Sequence, residues 1–316
     1  KKKMYAYLIR RVLAVIPVMF VVAIVVFLLM HLTPGDPAAI IAGDYARPED
    51  IARIRKQLGL DQPLYIQFGT WLFAILRGDL GTSIFSNLPV SHLIQQRLEP
   101  TVMLSVTTTI FAVTLAVPMG VWAAWRSGTF IDRSVMIFAV LGFSVPVFVI
   151  GYVLMYVFSL ELGWFPVQGY TSISKDFFGF LKSLALPTFA LGMFYIALIA
   201  RISRASMLEV LGEDYIRTAR AKGASELSTL MQHALKNAAV PIITVIGIGI
   251  ALLIGGVVVT ESVFNIPGLG RLTVDAVLHR DYPIIQGVIL VFSATYVVIN
   301  LLIDLSYTFL DPQIRY

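Results

Sequence analysis

Four histidines, His31, His92, His233 and His279, are the only imidazoles in the chain. None is spaced from another as metal ligands on one helix face would be, and His-x-x-x-His does not occur. There is no cysteine, which removes disulfides, thiolate metal sites and cysteine nucleophiles. Gly-x-Ser-x-Gly and His-Glu-x-x-His are both missing, so neither hydrolase constellation has its residues. The phosphate-cradling pattern Gly-x-x-x-x-Gly-Lys-[Ser/Thr] is missing too, so this chain does not hydrolyse ATP and any such energy source is a partner. What remains is a scatter of polar groups in apolar runs: Thr107, Thr108 and Thr109, Ser144 beside Pro146, Glu261, and Asn300 four residues before Asp304. Polar groups inside a membrane are costly and carry a function by default. Thr108, Ser144, Glu261 and Asn300 are therefore candidates for a translocation path or gate. The plainer alternative is bonding across helices or to interface water, because Glu261 and Asp304 fall near span ends.

The elements that must position these groups follow from composition. Of 316 residues, 58% are hydrophobic and 14% charged, and the mean hydropathy is +0.82. A soluble chain is about 45–50% apolar and about 25% charged. A soluble enzyme, a disordered chain and a nucleic-acid binder are all excluded. Six apolar runs stand out: Val12–Met30, Thr101–Trp125, Ser134–Leu160, Leu184–Ala200, Ala238–Thr260 and Ile284–Ile303. Each is near the length of about 20 residues that a membrane span needs. The first run is too long for a signal-peptide core and lacks a small-residue cleavage site, so it reads as a retained helix. Pro118, Pro146 and Pro187 fall within or near three runs and mark kinks. Phe177–Lys182 belongs either to the start of the fourth run or to the surface. Gly247, Gly249, Gly255 and Gly256 would let the fifth run pack closely.

Charge sets the orientation. With the N-terminus inside, residues 1–11, 126–133, 201–236 and 309–316 are inner pieces and hold 14 of the 24 Lys and Arg residues. The two short outer pieces, 159–182 and 261–283, hold 4. Basic residues favour the cytoplasmic side, so both termini are expected in the cytoplasm. The net charge of +5 is then a topology signal. His31, His92 and His279 lie outside and His233 inside, which prevents one cluster. The expected architecture is all-α and integral to the membrane, with six transmembrane helices. Residues 1–33 hold the N-terminus and first span, 34–99 an outer segment, and 100–316 a five-span core.

Two polar pieces carry further information. In the outer segment, Pro48-Glu49-Asp50 opens a helix, since proline suits the first turn and acids suit its dipole. Ile51, Ile54 and Leu58 then share a face. Leu64–Leu76 sets Leu64, Phe68, Trp71, Leu72 and Ile75 on one stripe, carries Gln67, and is too short to span. An interfacial helix, a lid, or a helix packed on the bundle fits that stripe. The inner piece 201–236 contains Asp214–Lys222, a short helix-compatible run ending at Gly223, a natural C-cap. Arg217, Arg220 and Lys222 load its last turns, as the helix dipole prefers. A short polar helix held between two spans fits a partner's groove; a solvated loop is the alternative.

That inner piece also resembles a known family. Glu213-Asp-Tyr-Ile-Arg-Thr-Ala-Arg-Ala-Lys-Gly223, followed by His233-Ala-Leu-Lys-Asn-Ala238 and Pro241, is similar to the coupling loop of ABC importer permeases. The branch is the dipeptide/oligopeptide/nickel family, B-type subunit. The general signature opens with Glu-Ala-Ala and reaches its glycine after three more residues. Here Arg217, Thr218 and Ala219 stand in its first places, and Arg-Thr-Ala-Arg-Ala-Lys-Gly is the form of the peptide branch. The resemblance extends along the whole chain: Leu32-Thr-Pro-Gly-Asp-Pro37, Leu58-Gly-Leu-Asp-Gln-Pro63, Gly78-Asp-Leu-Gly81, Phe264-Asn-Ile-Pro-Gly-Leu-Gly-Arg271, Arg280-Asp-Tyr-Pro283, Asn300-Leu-Leu-Ile-Asp304 and Asp311-Pro-Gln-Ile-Arg315.

The resemblance implies a type I ABC importer permease fold, multi-pass in the bacterial inner membrane. It implies a second related permease subunit, two ABC ATPase subunits that bind ATP and Mg, and an extracytoplasmic substrate-binding protein. No cofactor or metal belongs to this chain itself, and no nucleic acid is a partner. Within a coupling loop 207–236, Glu213, Asp214, Tyr215, Arg217, Thr218, Ala219, Lys222 and Gly223 would contact the ATPase. Family substrates span dipeptides, oligopeptides, glutathione, nickel complexes and opine-like or sugar compounds, and selection lies largely with the binding protein. A secondary transporter or channel without ATPase partners is the alternative that six spans alone allow.

Overall fold

The computed structural model describes residues 2–32, 36–42, 46–57 and 59–310. Thr33–Gly35 of the first loop motif, Leu58, and the tail motif Asp311–Arg315 lie outside them. The described residues form α1 (Lys2–Leu32), α2 (Pro37–Ala42), α3 (Pro48–Gln57), α4 (Leu64–Leu76), α5 (Val90–Trp125), α6 (Phe130–Ser144), α7 (Val147–Leu154), α8 (Phe177–Leu211), α9 (Asp214–Ala221), α10 (Glu226–Ser228), α11 (Leu235–Val263), α12 (Leu269–His279) and α13 (Tyr282–Leu310). A π-helical stretch, Met155–Glu161, extends α7, and another, Thr229–Ala234, joins α10 to α11. Among the described residues the only strand-like pairing is an isolated bridge between Thr82 and Pro89. Among the described residues five helices are long and apolar enough to cross a membrane, and six if the bent pair Phe130–Ser144 and Val147–Glu161 is counted as one span.

That bent pair gives the third run its form. The kink that Pro146 marks within Ser134–Leu160 is a full break, across which α6 and the α7 rod meet at 99°. Pro146 explains the break: its ring disfavours helical geometry at the residue before it, and Val145 is extended (φ −97°, ψ 121°). Ser144 turns its Oγ back to the Val140 carbonyl at 2.8 Å, closing the last turn of α6. The fourth run begins earlier than the hydropathy alone marks. Phe177–Lys182 is the first turn and a half of α8, and Asp176 caps it by accepting the Phe178 N–H at 3.0 Å.

The chain divides into two compact units. The first comprises Lys1–Arg97 and Leu272–Val297. In it α4 packs on α1 through Phe68 and Trp71, whose rings lie 5.3 and 5.6 Å from Phe27. Gln67, the polar residue of that stripe, bonds His31 Nε2 at 3.1 Å and donates to the Gln62 carbonyl at 2.7 Å. The packed-helix alternative therefore holds for the Phe68 face, while Tyr65, Phe73 and Leu76 on the other side stay exposed. Buried Asp281 accepts from Ser83 Oγ at 2.6 Å and pins the 78–89 loop beside α13.

The second unit comprises Leu98–Arg271 and Val298–Tyr316. Its centre is α8, whose most apolar window is 72% buried. Small residues let neighbours close on it. A Cβ added at Gly120 of α5 would lie 2.5 Å from Ser203 Cβ and 2.7 Å from the Ala200 carbonyl oxygen. Gly142 of α6 meets Ala197, and Gly256 of α11 meets Leu191, in the same way. Gly247 faces Ile303 and Gly249 faces Tyr195, whereas Gly255 has nothing within 4 Å. Such close-packed apolar contacts, summed over many atoms, hold membrane helices together without a hydrophobic drive between them.

Candidate functional site

The segment between α8 and α11 folds as α9, fastened in its middle. Glu213 is its N-cap position, extended at φ −71°, ψ 149°. Asp214 sits in the first turn and Arg220 in the last, each at the end of the dipole that favours its charge. The far end closes as a Schellman turn: Gly223 N–H donates to the Arg220 carbonyl at 2.9 Å and Ala224 N–H to Ala219 at 3.1 Å. Gly223 takes φ +88° to do so, a backbone region in which a side chain is strained. Ser225 then caps the next turn through the Ser228 N–H, and the rod Glu226–Val263 begins.

One residue fastens α9. Ile216 is completely buried, in an apolar cluster with Val121 and Ala124 of α5, Met207 of α8, Leu230 and Ala234 of the π stretch, and Ala238 and Ile242 of α11. Glu213, Asp214, Tyr215, Arg217, Thr218, Lys222 and Gly223 are exposed around it, and Ala219 is half-buried. Arg217 pairs with Asp214 at 3.3 Å and Arg220 with Glu226 at 3.1 Å. Both pairs are exposed and add little stability, about 0–1 kcal/mol; they hold the helix surface in a defined charge pattern. Partial burial, and then the charge of Glu213, raise the Tyr215 hydroxyl above its ordinary range, partly opposed by a hydrogen bond to Asn237. Its phenol stays a neutral donor on the exposed face.

The polar groups inside the apolar runs are dispersed. Thr107 Oγ1 bonds Thr188 Oγ1 of α8 at 2.9 Å, and both line a cavity of about 380 Å³ with Phe165, Phe180 and Leu184. Thr108, Ser144, Glu261 and Asn300 are not among its lining residues. Thr108 is fully buried, Ser144 is exposed at the bend after α6, and Asn300 is half-buried on α13. Glu261 is fully buried at the end of α11, where its carboxylate accepts from Thr101 Oγ1 and from the Arg271 N–H. Each of His31, His92 and His279 makes a hydrogen bond. Among the described residues no group of three His, Cys, Asp or Glu could hold a metal ion.

The profile of the family described as binding-protein-dependent transport system inner membrane component matches residues 116–316, and its N-terminal companion matches residues 4–110. The chain belongs to this family. It is a multi-pass membrane permease of the ABC importer type. A probable peptide ABC transporter permease of Sinorhizobium fredii is 57% identical over 313 residues, covering 99% of this permease and 100% of that relative. A putative peptide transport system permease of Brucella abortus is 48% identical, with 99% and 100% covered. The glutathione transport system permease GsiC of Salmonella typhi is 46% identical over 314 residues, again with 99% and 100% covered. Among solved structures, the MetNI methionine ABC transporter aligns with a TM-score of 0.57 at 17% identity, over 69% of this permease and 96% of that chain. That likeness concerns the fold.

Two features of the permease escape a reading of its sequence for chemistry. Ile216 is one, although it is the only large aliphatic side chain between Glu213 and Gly223, and that isolation was the available signal. The other is α12. It lies in the outer piece 261–283, and Leu269, Leu272 and Ala276 are buried at spacings that place them on one helical face.

Proposed function

We propose that this permease is one of two transmembrane subunits of an importer that brings short peptides, glutathione-like tripeptides included, into the bacterial cytoplasm. It lies in the inner membrane with both termini and α9 on the cytoplasmic side, as the excess of basic residues in the inner pieces supports. Two separate ATPase subunits bind ATP and Mg and hydrolyse ATP. A binding protein delivers the peptide to the opposite face. Glu213, Asp214, Tyr215, Arg217, Thr218, Ala219, Lys222 and Gly223 form the surface that seats in an ATPase cleft. The observation that carries this reading is α9 itself: a short helix with its charged face exposed and Ile216 buried among the ends of α5, α8 and α11. A helix so fastened passes a partner's rigid movement to the spans, because packed elements switch between discrete arrangements. The charges on its face set register and partner choice. Peptides are the class because the relatives at 57% and 48% identity carry that name.

The test is reconstitution in liposomes with the partner permease, both ATPases and the binding protein. The expected result is ATP-dependent uptake of di- and tripeptides with ATPase activity stimulated by the loaded binding protein. Uptake driven by an ion gradient without the ATPases would overturn the reading.

A further inference from the structure

Thr101 and Glu261 stand 160 residues apart in the chain and share one buried hydrogen bond. Thr101 Oγ1, on α5, donates to Glu261 Oε1 at 2.5 Å. The same hydroxyl accepts the Leu269 N–H at 2.8 Å, and Glu261 Oε2 accepts the Arg271 N–H at 3.0 Å. Leu269 and Arg271 are in the first turn of α12, whose N–H groups have no partner within their own helix. Two side chains from two other helices therefore cap α12, and the carboxylate also suits the positive end of its dipole.

Between Glu261 and α12 runs the strap Phe264–Gly268. Phe264 and Ile266 are buried. Ile266 N–H donates to the Glu261 carbonyl at 2.9 Å. A Cβ at Gly268 would overlap the Glu261 carboxylate, so the backbone lies directly on it. The strap also reaches α7 and the loop beyond it. Gly169 N–H donates to the Phe264 carbonyl at 3.0 Å, and a Cβ at Gly151 would lie 3.1 Å from the Phe264 ring. Thr101 of α5, Gly151 of α7, the end of α11 and the 165–170 loop thus meet on one strap, which folds over one carboxylate.

A carboxylate is an acceptor at both oxygens and takes both donors here. An amide of the same shape would point its own N–H at one of them. The chemistry of the residue is specified, and not only its volume. Resting on the importer reading above, we infer that Glu261 is a positioning residue for transport. It joins α5 at Thr101, α7 at Gly151 and the end of α11 into one block, and that block carries the arrival of the loaded binding protein to the spans. The coupling asked of it is a bias between two states of a packed element.

The reconstituted importer tests this through the ratio of stimulated to basal ATPase rate, with complex yield as the control. Glu261→Gln and Thr101→Val, the latter nearly isosteric, are expected to lower that ratio about tenfold, with uptake falling in parallel. Thr101→Ser keeps the hydroxyl and is expected to restore it. A wild-type ratio in both Glu261→Gln and Thr101→Val would overturn the inference. So would an equal fall in yield, basal rate and stimulated rate, or a failure of both variants to assemble, since either marks a folding role alone. If the unaltered importer shows no stimulation, the importer reading itself fails and this inference with it, a result distinct from the others.

Discussion

Arg204 of α8 grips Asp132 of α6 with two parallel hydrogen bonds, from Nε to one carboxylate oxygen and from Nη2 to the other at 2.8 Å. The same carboxylate accepts the Gly128 N–H at 2.9 Å. The pair ties the 126–129 turn and the start of α6 to the end of α8 that leads into α9. Asp132 is buried and Arg204 mostly so. Removing one partner strands the other's charge, at a cost of about 3–5 kcal/mol. Arg204→Ala and Asp132→Ala are each expected to lower the melting temperature of the purified permease, and the double variant to cost less than the two effects added. Thermal melts arranged as a double-mutant cycle measure this.

Ile216 is the fastening of α9. Ile216→Ala removes buried methyl groups from a filled cluster and is expected to cost about 2–5 kcal/mol of local stability. The consequence is functional: ATP hydrolysis continues while peptide carried per ATP falls. Measuring uptake and phosphate release on the same vesicles checks it, and an unchanged ratio would count against the role given to Ile216.

Gly223 ends α9 at φ +88°. A side chain there costs about 1–2 kcal/mol, and Asn is the substitution that tolerates this region best. Gly223→Val is expected to weaken co-purification of the ATPases, with Gly223→Asn close to the unaltered protein. A Cβ at this position would meet no atom of this chain within 4 Å, and Val and Asn are of similar size, so a loss with Gly223→Val that Gly223→Asn does not show marks backbone strain.

Gly120 and Gly255 form a matched pair of controls on packing. A Cβ at Gly120 collides with α8, and one at Gly255 meets nothing. Gly120→Ala is expected to lower the yield of folded permease sharply. Gly255→Ala is expected to leave it unchanged or raise stability by up to about 1 kcal/mol, the propensity difference between the two residues in a helix. Size-exclusion profiles and thermal melts distinguish the two.

Much of this protein is legible from local pattern alone. Hydropathy marks the spans because a bilayer demands long apolar runs, and it marks them wherever the run is continuous. Leu64–Leu76 is an α-helix with the bounds its apolar stripe suggests. Asp214–Ala221 ends at Gly223 as its composition suggests, because caps and dipole preferences act over one or two turns. The third span shows where local pattern stops. Pro146 announces a kink, but a proline restricts only its neighbour's backbone and leaves the angle of 99° to what α6 and α7 pack against.

The sequence by itself therefore determined a cysteine-free membrane chain of apolar helices, with a short charged helix between two of them. Only the tertiary structure decided that Ile216 turns inward while its neighbours face out. It alone decided that Glu261, one of several polar residues in apolar surroundings, meets Thr101 and caps α12, while Thr108, Ser144 and Asn300 stand elsewhere. The physical reason is range. Propensity, capping and hydropathy act between residues a few positions apart, whereas a buried carboxylate is satisfied by whichever donors the packing of distant helices brings to it.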